Sequence, residues 1–201
     1  MEKNRLEAFS DGVLAIIITI MVLELKVPQP DDQTPHPDEI AALKPLLPVF
    51  LTYVLSFIYV GIYWNNHHHL LKAAGRVTGK MMWANLHLLF WLSLFPFVTG
   101  WMGENHFTTA PTAVYGAVLL LAAIAYYILQ TIVLSGHGRH SKLAKSMGRD
   151  IKGKISPLLY ATAIGFAFYR PWISCCIYAF VALLWLVPDR RIERVVTESG
   201  E

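Results

Sequence analysis

Charge is missing from this chain over stretches too long for an ordinary water-soluble domain. Between Lys44 and Lys72 lie 27 uncharged residues, between Lys80 and Glu104 another 23, and between Glu104 and Arg139 another 34. A bilayer's hydrocarbon core is about 30 Å thick, and a helix of about 20 mostly apolar residues crosses it. Each stretch is long enough. A further one, from Leu6 to Val27, keeps its charges Glu7, Asp11, Glu24 and Lys26 towards its ends. The gaps on either side of Arg170 hold 15 and 18 residues and meet at the turn-forming Arg170-Pro171-Trp172. The first of these is short, so Arg170 has to snorkel or the hairpin has to sit off-centre. Spans are therefore expected at 6–27, 46–71, 81–102, 111–135, 155–169 and 172–187. They describe an all-α integral membrane protein of six transmembrane helices in a single domain, residues 1–201. With 55% hydrophobic and 15% charged residues, against about 25% charged in soluble domains, no soluble catalytic domain is expected. No cleavable signal peptide is expected either, because the first span begins almost at once, carries Asp11 and is followed by no small-residue cleavage site.

Six alternating spans sort the 17 Lys and Arg residues into two unequal sets. Fourteen fall on the side of the two termini, six of them between spans four and five; only Lys26, Lys44 and Arg170 fall on the other. The positive-inside rule then puts both termini in the cytoplasm. Because these basic residues sit in short loops beside spans, the net charge of +3 reads as membrane topology and not as a nucleic-acid footprint. The loop from Pro28 to Lys44 is rich in proline and acid, with Asp31, Asp32, Asp38 and Glu39, and reads as a solvated outer connector.

Side chains with metal or redox chemistry are few and poorly placed for it. Cys175 and Cys176 are neighbours inside the sixth span, where they read as small apolar filler. His67, His68 and His69 follow one another at the end of span two, about 100° apart around a helix, whereas two ligands on one helical face want i and i+4. No metal site is expected from them, although such rings titrate near neutral pH. No cofactor and no catalytic residue is expected: HExxH, GxSxG, a Walker loop and a paired-carboxylate pattern are all missing from the sequence. So is a TVGYG-type filter of backbone carbonyls.

The unusual residues lie in the first span. An ionisable group within a membrane helix is costly and usually faces the bundle interior or a wet path, and Asp11 lies about one turn inside the cytoplasmic end. Taking about 100° per residue, Ile16, Thr19, Ile20 and Leu23 form one stripe, and Asp11 points elsewhere with Ala15, Ile18 and Val22. Such a stripe is what any packed helix shows, and a threonine there commonly bonds a carbonyl one turn back. Asp11 needs a partner. His87 in span three is the candidate, with Asn85 and Ser93 at comparable depth.

Arg5, Phe9, Ser10 and Asp11 spell RxxxFSD and are followed by GVLAIIITIMVLEL. This resembles the signature of the endosomal and lysosomal potassium channel family, transmembrane protein 175 and its prokaryotic homologues. His87, Leu88, Ser93, Pro96 and Phe97 resemble the family's third-span pattern. The resemblance implies a single-repeat prokaryotic form in the cell membrane, a homotetramer whose first helices surround a central pore. It implies a hydrophobic gate ring at Ile16, further apolar layers at Ile20 and Leu23, and a hydroxyl ring at Thr19 that favours potassium modestly over sodium. It also implies that Arg5, Phe9, Ser10 and Asp11 hold helix one against span three, with His87 as partner. The permeant species would be potassium ions. A different reading of the same groups is a proton-coupled secondary transporter with Asp11, His87 and Arg5 as its relay.

Overall fold

The computed structural model describes residues 2–26, 41–135 and 151–186. Among them, seven α-helices run in order: α1 (Lys3–Met21), α2 (Leu47–Ala73), α3 (Gly79–Ser93), α4 (Phe95–Glu104), α5 (Thr109–Ser135), α6 (Ile151–Ala167) and α7 (Pro171–Leu186). Tight 3-10 turns extend α1 through Val22–Glu24 and precede α2 at Ala41–Leu46. The proline-rich outer loop and most of the basic segment between spans four and five lie outside the described residues, as does the tail after Leu186.

Among the described residues, four helical segments are long and apolar enough to cross a bilayer: Lys3–Glu24, Leu43–Ala73, Gly79–Glu104 and Thr109–Ser135. The third is broken, where an unbroken span over 81–102 was expected. Pro96 carries no backbone N–H to return to the carbonyl one turn back, so the chain turns at Leu94 and restarts as α4 with proline in its first turn. α6 and α7, of 17 and 16 residues, rise only about 25 Å at 1.5 Å per residue. The sequence's short final pair is thus matched by two short helices joined at Arg170, with Phe168, Tyr169 and Trp172 exposed around the turn.

α5 is the centre of the bundle and packs on α3, α4, α6 and α7, whereas α1 packs on α2, α3 and α4. Chain direction alternates at both ends of α1. Lys3 Nζ donates to the carbonyl of Lys72, joining the start of α1 to the end of α2, and Lys26 pairs with Glu104, joining the far end of α1 to the end of α4. Close approach is set by small residues, as is usual where lipid gives helices no hydrophobic reason to associate. A Cβ on Gly103 would stand 2.6 Å from the Val49 Cα, and one on Gly116 would collide with the Tyr178 hydroxyl.

The interior is aromatic and polar as well as aliphatic. Tyr59, Tyr115 and Tyr178 are among the largest fully buried side chains. Each hydroxyl has a partner: Tyr59 donates to the Tyr178 carbonyl at 2.7 Å, Tyr178 to the Thr112 carbonyl at 3.1 Å, and Tyr115 meets Ser56 Oγ at 3.0 Å. Thr99 donates to the same Ser56 at 2.6 Å. Buried hydroxyls are costly unless bonded, and these bond one another or the backbone.

Candidate functional site: two faces of the first helix

α1 has one face turned to its own chain and one turned away. Leu6, Ser10, Leu14, Ile17 and Met21 recur at steps of three and four residues and are all buried. On the opposite side, Ile16 is 58% exposed, Ile20 42% and Leu23 72%, and Thr19 is exposed among them. An apolar stripe with a single hydroxyl therefore lies on the surface, unused in packing among the described residues. Leu23 belongs to the 3-10 turn beyond α1 and is the most exposed of the three apolar residues. The Thr19 hydroxyl donates back to the carbonyls of Ala15 and Ile16, both at 3.0 Å.

The buried face carries a chain of polar contacts across three helices. His67 Nε2 of α2 meets Asn85 Oδ1 of α3 at 2.6 Å, Asn85 Nδ2 donates to Ser10 Oγ of α1 at 2.9 Å, and Ser10 donates to the Leu6 carbonyl at 2.8 Å. All three side chains are buried, Ser10 and Asn85 completely. The amide of Asn85 is the hinge of this arrangement, because it alone offers an acceptor to a ring N–H and a donor to a hydroxyl. Beside it, Trp64 Nε1 of α2 donates to Asp11 Oδ1 at 3.1 Å.

This corrects the expected pairing of Asp11 with His87. His87 lies two residues beyond Asn85, about 200° around α3, and so faces outward. It accepts a hydrogen bond from Trp91 Nε1 on its own helix at 2.9 Å. Arg5 is exposed and makes no side-chain hydrogen bond or ion pair among the described residues. Phe9 is half exposed on the outward side. Of the four motif residues, Ser10 and Asp11 bind neighbouring helices, and they do so through Asn85 and Trp64. The structure does not assemble Asp11, His87 and Arg5 into a relay.

Three consecutive histidines are dispersed as their spacing requires. His67 points into the bundle, whereas His68 stacks on Trp64 with centroids 6.2 Å apart. No group of three His, Cys, Asp or Glu side chains that could hold a metal is present among the described residues. Both cysteines are unpaired.

A family model described as the endosomal/lysosomal potassium channel TMEM175 matches residues 5–96, which contain the whole polar network and the outward stripe. A protein named a potassium channel from Chryseobacterium sp. (strain P1-3) is 52% identical, over 99% of this chain and 100% of its own length. The chain belongs to the TMEM175 family. Another similar protein named a potassium channel, from Streptomyces collinus, is 31% identical over 92% of this chain and 91% of its own. The crystal structure of a lysosomal potassium-selective channel TMEM175 homolog from Chamaesiphon minutus matches the fold with a TM-score of 0.80 at 27% identity, covering 92% of this chain and 97% of that one. TMEM175 is a family of ion channels and not of enzymes, and its fold accounts for the helical architecture seen here.

Proposed function

We propose that this chain is a potassium-permeable, cation-selective channel of the cell membrane, with six spans per subunit and both termini cytoplasmic. Four copies would place their first helices around a common axis, and a carbonyl filter plays no part. The observation that carries the reading is the division of α1. Its inner face is tied down by Ser10, Leu14, Ile17 and Met21, while Ile16, Thr19, Ile20 and Leu23 stay exposed, packed by no other helix among the described residues. The family names of its relatives supply the potassium and the channel; the stripe supplies the residues.

The mechanism follows from elementary solvation. Side chains of Ile16 from several subunits meeting on an axis make a dry constriction that a hydrated cation crosses only at high cost, so conduction needs the ring to widen and wet. Ile20 and Leu23 continue the dry segment towards the outer end. Thr19, between them, is the one polar side chain of the stripe. Its hydroxyl oxygen keeps lone pairs free while its proton is committed to the backbone, so it can replace part of an ion's hydration shell. A ring with so few ligands favours the cation that sheds water more cheaply, potassium over sodium, and does so modestly.

The deciding measurement is the reversal potential of purified protein in a planar bilayer with potassium on one side and sodium on the other. A reversal biased towards the potassium potential is expected, with the bias reduced in Thr19→Ala. Ile16→Asn is expected to raise the leak conductance at matched expression. An unchanged current in that variant would remove Ile16 from the gate, and flux appearing only under a proton gradient would replace the channel by a transporter.

A further inference from the structure

A second site lies away from α1, in a cavity of about 40 Å³ bounded by α2, α5, α6 and α7. It holds more than the 10–15 Å³ that one water needs. Its walls are aromatic, with the rings of Tyr63 and Tyr126 edge to face at 6.1 Å and Tyr160 and Trp185 opposite. Several polar groups along the wall are already committed: Trp185 Nε1 donates to Ser156 Oγ at 2.8 Å, and Tyr126 donates to the Asn66 carbonyl at 3.3 Å. Two are not. Tyr63 and Gln130 each keep only 9% of their surface, and their side chains make no hydrogen bond among the described residues. Both residues line the same cavity, and a hydroxyl and a primary amide that border it gain by bonding whatever occupies it.

We propose that this cavity is a binding site for a neutral amphiphile, a molecule with one hydroxyl or carbonyl head on an aliphatic body. Tyr63 and Gln130 supply the hydrogen bonds to the head. The ligand is neutral because no acidic or basic side chain is among the described lining residues, and a desolvated charge there would have no counter-charge. The body leaves along α5, where Tyr127, itself part of the wall, is 55% exposed, and Ile124 and Ile128 continue an apolar outer surface. Head in and tail out is the arrangement the cavity's size allows, since the enclosed part takes only a few heavy atoms. A membrane diacylglycerol and a free aliphatic alcohol share this chemistry.

Photolabelling of the full chain in phosphatidylcholine nanodiscs tests the site, with a diazirine-bearing octanol in one arm and a diazirine-bearing diacylglycerol in the other. Saturable adducts on the peptides holding Tyr63, Tyr126 and Trp185, competed by unlabelled octanol, are expected in at least one arm, and the arm that labels identifies the source. Tyr63→Phe combined with Gln130→Leu keeps the shapes and is expected to weaken labelling roughly ten-fold, as loss of hydrogen bonds to the head requires. Ala123→Phe, which fills the cavity, is expected to abolish it with unchanged elution on size exclusion. Labelling that is unsaturable and spread over the outward helix faces would overturn the proposal. So would adducts indifferent to the Tyr63 and Gln130 changes, or a density map showing only ordered water at saturating octanol.

Discussion

At the residue scale, the decisive side chain is Asn85. It is the one group in the polar network that bonds both of the others, accepting from His67 and donating to Ser10. Asn85→Leu strands a buried ring N–H and removes the bond that the Ser10 oxygen accepts, and interhelical hydrogen bonds in membranes are worth about 0.6 kcal/mol on average and up to about 1.7. The variant is expected to lose stability towards the upper end of that range, read as a shift of the denaturant midpoint in detergent. Asp11→Asn keeps an oxygen for Trp64 Nε1 and is expected to be close to neutral by the same assay. At the outer end, the hydrogen bond and the charge of Glu104 raise the Lys26 pKa above its ordinary 10.5. A pKa raised on folding contributes stability that is fully present below the unfolded value and is lost as pH rises through the folded one. The Lys26–Glu104 link is therefore expected to weaken only above pH 10.5, and Lys26→Met should abolish that alkaline component of a melting-temperature profile. Both groups are solvent-exposed, which keeps the effect small.

At the scale of elements, the contact between α2 and α4 rests on Gly103. Even a methyl group there meets the Val49 backbone, which cannot swing aside as a side-chain tip can. Gly103→Ala is expected to cost about 1–3 kcal/mol, the usual range for overpacking, and Gly103→Leu to prevent accumulation of folded protein. Size-exclusion homogeneity and thermal melting separate the two outcomes. The helices themselves were legible from residue order: uncharged gaps marked α2, α5 and the combined α3–α4 span, and the pair around Arg170 marked α6 and α7. The break at Leu94 was not read, although Pro96 stood in the sequence to signal it, because hydropathy does not fall across the break. The outward stripe of α1 was legible from angles alone. Its lack of partners was not, since a packed face and a bare one show the same periodicity.

At the scale of the whole molecule, the bundle has two sides of different make-up. α1 is held against α2, α3 and α4 through polar bonds that fix its rotation about its own axis, and that rotation decides which residues the outward stripe contains. A tetramer built on this stripe predicts a mass of four subunits for the detergent-solubilised complex. Charged substitution at Ile20 is expected to reduce that complex to smaller species or to open it, distinguished by native mass measurement and by leak current. The far side, where α6 and α7 meet α2 and α5, holds the tyrosine-lined cavity and takes no part in that division.

The sequence by itself determined that this chain is a membrane protein, which stretches are free of charge over a bilayer's thickness, how its basic residues are distributed among them, and to which family it belongs. All of these follow from one-dimensional properties: gaps between charges, the side on which basic residues fall, and a run of matching residues. Tertiary structure decided the partners. His87 and Asn85 sit two residues apart on one helix and are equally plausible for Ser10 or Asp11 on paper. The rotation of α3 buries Asn85 and turns His87 outward. His67, one of three adjacent histidines, is selected for the network in the same way. Spacing fixes the angle between neighbours on one helix, but only packing of several helices fixes the angle at which each faces the next.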